Sequence, residues 1–118
     1  MKQLLRLLIV ASIAGIPGLA SGADYAPIDC AKAKSPAETT ICKTYRLGQS
    51  EARMATLYAI ATSLVAMGQR GDIGDAQVQW LKTREACGRD VACLSRAYSN
   101  RIQQLNAVIS DIASRGPY

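Results

Sequence analysis

Four cysteines follow a basic, apolar N-terminus, and that order limits what the rest of the chain can be. Lys2 and Arg6 open the sequence, residues 4 to 14 are almost wholly apolar, and Gly15, Pro17 and Gly18 interrupt the run before small residues take over. A basic start, a short apolar stretch and a small-residue site mark a secretory signal peptide. The run ends well short of the ~20 consecutive apolar residues that a spanning helix needs. Ser21-Gly22-Ala23 offers small side chains where a signal peptidase reads them, with Gly18-Leu19-Ala20 the weaker site. Residues 1–23 therefore read as a leader and 24–118 as one mature domain. Cys30 is preceded by Ala26-Pro27-Ile28-Asp29 rather than by small residues, so lipid attachment and a membrane anchor after cleavage are not expected.

Export decides the chemistry of Cys30, Cys42, Cys87 and Cys93, because periplasmic and secreted proteins keep their disulfides. Four cysteines allow three pairings. The local one, Cys30 with Cys42 and Cys87 with Cys93, is expected because each pair brackets a helix boundary where the chain turns back. Zinc sites use cysteines two to four residues apart. Here the pairs are separated by eleven and by five residues, and the chain has no histidine, so neither a metal nor another cofactor is expected.

A mature chain of this length buries a modest core and benefits from such staples. Its pattern is helical. Ser35-Pro36-Ala37-Glu38 is a complete helix start, with Ser35 as cap, Pro36 in the first turn and Glu38 placed to return a hydrogen bond. A short helix should run from there through Cys42. A longer one should carry Leu47, Met54, Leu57, Tyr58, Ala61, Leu64 and Val65 on one stripe, starting nearer Ser50 because Gly48 weakens its first turn, and ending at Gly68. Gly68-Gln69-Arg70-Gly71 reads as a flexible loop. Asp72 or Asp75 would cap a third helix with Ile73, Trp80, Leu81 and Arg84, closing near Gly88. Asp90 would cap a fourth, with Val91, Leu94, Tyr98, Ile102, Leu105, Ile109 and Ile112 on its stripe and Gly116-Pro117 at its end. The expected fold is all-α, a small helical hairpin bundle of about four helices stapled by two disulfides.

Without Lys2 and Arg6 the chain has 12 basic against 9 acidic side chains, a net charge of +3. The charges are dispersed rather than gathered into a stripe, which argues against nucleic acid. Catalysis finds no support. The chain lacks a histidine base, its thiols are committed to bridges, and its serines have no evident activating partner. The glycines at 68, 71 and 74 lack the strand and lysine of a phosphate loop.

Cys30, Glu38-x-x-Ile41-Cys42, Leu57-Tyr58, Gln79-Trp80-Leu81-x-x-Arg84-x-x-Cys87, Cys93-Leu94-x-x-x-Tyr98 and Arg101-Ile102-x-x-Leu105 together resemble the small exported domain of the LprI-type lysozyme inhibitor family. The resemblance spans essentially the whole mature chain. It departs at Ser50-Glu51, where many members carry Leu-Asp, and in lacking the lipid-attachment cysteine of some relatives. It implies a periplasmic or secreted protein that binds lysozyme or another peptidoglycan hydrolase and blocks it.

Within that frame Trp80, Tyr58 and Tyr98 read as core. Acids and arginines on core-facing helix edges normally pair, so at least one of Glu38 and Glu51 is expected to bridge to Arg84 or Arg101. For partner binding, a cation on a glycine-flanked loop could enter a sugar cleft and meet its catalytic carboxylates. Arg70, with Gln69 and Asp72, fits that description, and the basic edge Lys43, Arg46 and Arg53 is a second candidate. A basic domain meets a basic lysozyme slowly. The rival reading is a periplasmic accessory or immunity protein of an envelope or secretion assembly, without inhibitory activity.

Overall fold

The computed structural model describes residues 25–115, together with Gly15. Apart from Gly15 the expected leader lies outside the described residues, as does the expected stop at Gly116-Pro117. Among the described residues every regular element is a helix: α1 (Pro36–Lys43), α2 (Tyr45–Ser63), α3 (Met67–Ala86) and α4 (Val91–Ser114).

The caps explain where two of these begin. Ser35 accepts the backbone N–H of Glu38 at 3.0 Å, with Pro36 at the first helical position. Glu38 does not close the box expected of it, because its carboxylate turns toward Arg84 at 3.5 Å instead. Asp90 accepts the N–H of Cys93 at 3.0 Å and opens α4 as the sequence suggested. α2 starts at Tyr45 rather than near Ser50. Leu47 is sealed in the core, and burying it outweighs the ~1 kcal/mol that Gly48 costs a helix.

The largest departure is the expected loop at 68–72, which is the first turn and a half of α3. Ala66, not Asp72 or Asp75, occupies the cap position, and the Arg70 N–H closes back on the Ala66 carbonyl at 2.9 Å. Glycine content pointed to a loop; tertiary packing of Ile73 and Gln77 pulls the helix back through it. The reversal between α2 and α3 is thus confined to Leu64, Val65 and Ala66. Leu64 and Val91, expected on buried stripes, are exposed, because one is the cap that ends α2 and the other is the first residue of α4.

Cys30–Cys42 ties the extended N-terminal segment to α1, and Cys87–Cys93 ties the end of α3 to the start of α4. Both pairings match the local expectation, and no described cysteine is free. Gly88, at φ +56°, makes the reversal inside the second bridge, a backbone conformation that suits glycine.

Two short reversals make α2, α3 and α4 an up-down-up bundle in which α2 and α4 run the same way, and α1 packs across α2 and α3. Ile41, Leu47, Met54, Tyr58, Leu94, Tyr98 and Leu105 fill the space between them. Trp80 belongs to this core. It is 7 % exposed, its ring meets Tyr98 edge-on at 5.1 Å, and its indole N–H donates to the Ala97 carbonyl at 2.8 Å.

Candidate functional site

Two polar assemblies stand out, one sealed inside the bundle and one open on its surface. The inner one is built on Glu51, 5 % exposed, in the middle of α2. Its Oε2 accepts the Tyr98 hydroxyl at 2.5 Å from α4, and its Oε1 accepts the Tyr25 hydroxyl at 2.6 Å from the N-terminal segment. Arg84 of α3, 4 % exposed, lies 3.6 Å from the same carboxylate and reaches Glu38 at 3.5 Å and Glu85 at 2.9 Å. It also donates to the Tyr25 hydroxyl at 3.0 Å and lies over the Trp80 ring.

Burial, with Glu51 adding to it, pushes the Tyr25 and Tyr98 phenols above their ordinary range. At Arg84 burial opposes the charge, but the surrounding phenols and carboxylates outweigh it and the net shift is upward. The expected ion pairing is therefore present at Arg84, with both Glu38 and Glu51. Arg101 takes no carboxylate. It donates to Gln77 Oε1 at 2.8 Å, to the Ile73 carbonyl at 3.2 Å and to Gln104 Oε1 at 3.0 Å, and burial pushes its guanidinium below its ordinary value. Among the described residues no buried side-chain polar atom lacks a partner, so the buried groups are satisfied from within, while the outer edge of the assembly, at Tyr25, Glu38 and Arg84, lines a shallow cleft of about 320 Å³. Tyr25, Tyr98 and Glu85 around Arg84, and Gln77 and Gln104 around Arg101, are members that the sequence did not single out for this role.

The outer assembly is a groove of about 660 Å³ between α2 and α4. Arg46, Gln49, Ser50 and Arg53 form one wall and Ser99, Ile102, Gln103 and Asn106 the other. Arg46 and Arg53 are exposed, and neither makes an ion pair or side-chain hydrogen bond. Among the described residues no carboxylate lines the groove. Seven residues apart on one helix, the two arginines lie two turns and roughly 10.5 Å apart along the axis. Lys43, the third member of that basic edge, ends α1 and is exposed but does not line the groove. That α4 brings its amides alongside these arginines was not legible in the sequence, because it depends on the relative register of two helices separated by a third.

The cation expected on a loop is placed differently. Arg70 is half-buried on α3, and its Nε–H donates to the Thr62 carbonyl at 2.9 Å, satisfying a free carbonyl at the end of α2. Gln69 and Asp72 are exposed on the same helix. Arg70 is therefore a clamp on the α2–α3 reversal and not a projecting group.

Among the described residues no group of histidine, cysteine or acidic side chains could hold a metal ion, and no helix is long and apolar enough to cross a membrane. Comparison of the chain with family models, curated proteins and solved structures gave no match, so the resemblance drawn above rests on its motifs alone. Two bridges fit an oxidising compartment.

Proposed function

We propose that this chain is an exported, non-catalytic binding protein that engages an acidic region of a protein partner through the α2/α4 groove. The observation that carries this reading is the pair of unpartnered arginines, Arg46 and Arg53, on a groove wall without a neighbouring acid. Guanidinium groups in such a setting favour carboxylates, which they bind with paired, charge-assisted hydrogen bonds. The resemblance to LprI-type proteins supplies the partner class, a peptidoglycan-cleaving enzyme. The test is a cell-wall lysis assay with the purified mature protein against several lysozymes and lytic transglycosylases. Inhibition should be lost in Arg46→Glu/Arg53→Glu and kept in Arg70→Ala.

A second reading, an accessory or immunity protein of an envelope assembly, is favoured by a separate observation. Ile60, Leu64 and Met67 gather at the α2–α3 end of the bundle and are 41 %, 53 % and 86 % exposed. Apolar side chains left open together suit a permanent partner. Absence of inhibition against every hydrolase, with stable co-purification of an envelope protein, would favour it.

A further inference from the structure

We propose that the α2/α4 groove seats an amphipathic helix of a partner protein, acidic at one end and apolar at the other. The proposal rests on the reading of this groove as a binding site and specifies the chemistry of its occupant. α2 carries two parallel stripes, each stepping alternately by four and three residues. The first, Leu47, Glu51, Met54, Tyr58 and Ala61, is buried in the bundle. The second is shifted by one residue: Arg46, Ser50, Arg53, Leu57, Ile60 and Leu64. This alternation is the spacing with which one helix seats against another. α4 repeats it with Ser99, Ile102, Asn106 and Ile109.

The second stripe changes character along its length. Its first half holds the two unpaired arginines, and its second half holds Leu57, half-buried, then Ile60 and Leu64, both exposed. Ile102 lines the facing wall, and Ile102 and Ile109 are both half-buried and pack against the core. The groove itself is lined by the first half of this stripe, Arg46 to Arg53, and the stripe runs on along α2 to the Leu64 cap, a rise of about 27 Å in all, the length of a helix of about five turns. Ridges of a third helix fit the trough between two packed ones. Two glutamates seven residues apart on that helix would meet Arg46 and Arg53, and leucines or isoleucines in its other half would cover Ile60 and Leu64.

Charge and lining select this occupant over others. Among the described residues no aromatic ring lines the groove, which leaves a nucleobase nothing there to stack on. A second copy fits poorly, because a two-fold axis sets the arginine end of one groove either against the apolar end of the other or against its arginines.

The experiment uses synthetic helical peptides of about five turns, made in both polarities, with two glutamates seven residues apart in one half and leucines at alternating three- and four-residue steps in the other. Fluorescence anisotropy with the purified mature protein should show saturable binding by one polarity. Arg46→Glu/Arg53→Glu should weaken it by at least about tenfold, and Ile60→Ser/Leu64→Ser by a similar factor. Lysines in place of the peptide glutamates should restore binding to the charge-reversed protein. Circular dichroism should show both variants folded, with the melt of the arginine variant unchanged and that of Ile60→Ser/Leu64→Ser lowered only modestly, since those side chains are already 41 % and 53 % exposed. No saturable binding at high micromolar peptide, or binding indifferent to charge reversal, would overturn the proposal. Arginine-dependent binding to anionic phospholipid vesicles with none to the peptides would also overturn it, as would a concentration-dependent dimer lost in Ile60→Ser/Leu64→Ser. Hydrolase inhibition that depends on Arg46 and Arg53 without peptide binding removes the helical occupant and leaves the groove as a site. Peptide binding without hydrolase inhibition removes the partner class instead.

Discussion

Glu51 and Arg84 face one another across the bundle at 3.6 Å, each almost sealed from solvent, and the hydroxyl of Tyr25 hydrogen-bonds to both. Four separate parts of the chain meet at this point: the N-terminal segment, α2, α3 and, through Tyr98, α4. A charge pair taken out of water contributes little net stability, but breaking it strands a charge. A different helix register would leave Glu51 or Arg84 buried without a partner, a cost that weighs against it.

Glu51→Ala should therefore cost about 3–5 kcal/mol, leaving Arg84 with only its outer carboxylates and two phenols without an acceptor. Glu38→Ala, whose carboxylate is partly solvated, should cost about 1 kcal/mol or less. Urea unfolding of the two variants measures the difference, and equal losses would contradict the arrangement.

Alkaline stability follows from the raised phenols. Tyr25 and Tyr98 stay neutral in the folded chain at pH values where an unfolded tyrosine, of pKa about 10, ionises. The unfolded state then releases protons that the folded state holds, so this contribution is complete below pH about 10 and falls away as pH rises through the folded-state range. The urea midpoint should drop between pH 9 and 11, and Tyr25→Phe should flatten that drop. A pH-independent midpoint would mean the phenols are not held as described.

Trp80→Ala removes a buried ring that packs on Tyr98 and caps the Ala97 carbonyl, and should cost about 3–5 kcal/mol. Trp80→Phe keeps most of the ring and removes only the second hydrogen bond to a carbonyl that retains its helical partner within α4, at about 0.5–1.5 kcal/mol. A variant that melts like the parent while losing partner binding would place Trp80 at an interface instead.

The helical start of α3 makes a prediction opposite to the one a loop would make. A Cβ added at Gly71 meets nothing within 4 Å, and the backbone there is already helical. Gly71→Ala should stabilise the protein by about 0.5–1 kcal/mol. Arg70→Ala should destabilise it by about 0.5–1.5 kcal/mol through the lost bond to Thr62, without changing partner affinity. Thermal melts and binding measurements on the two variants separate a clamp from a projecting cation.

Local chemistry was legible where neighbours in sequence are neighbours in space. Ser35 and Asp90 cap their helices because a side-chain oxygen reaches an N–H three residues on, and nothing distant can alter that reach. The two disulfides were legible for the same reason, each joining cysteines across one short reversal. The Gly68–Asp72 segment was misread because its glycines weaken a helix by about 1 kcal/mol each, a small term beside the burial of Ile73, Gln77 and Trp80 on the same helix.

By itself the sequence determined that the domain is helical, where two helices are capped, which cysteines pair, and that at least one of Glu38 and Glu51 would meet Arg84 or Arg101. Only the tertiary structure decided that Arg84 takes both carboxylates while Arg101 takes amides and a carbonyl, and that Tyr25 closes the cluster from the far end of the chain. It likewise decided that Arg70 is a clamp and that Arg46 and Arg53 share a groove with α4. The physical reason is range. Caps and short bridges act over a few residues, whereas the partner of a buried charge and the far wall of a groove depend on how helices tens of residues apart are rotated and aligned against one another.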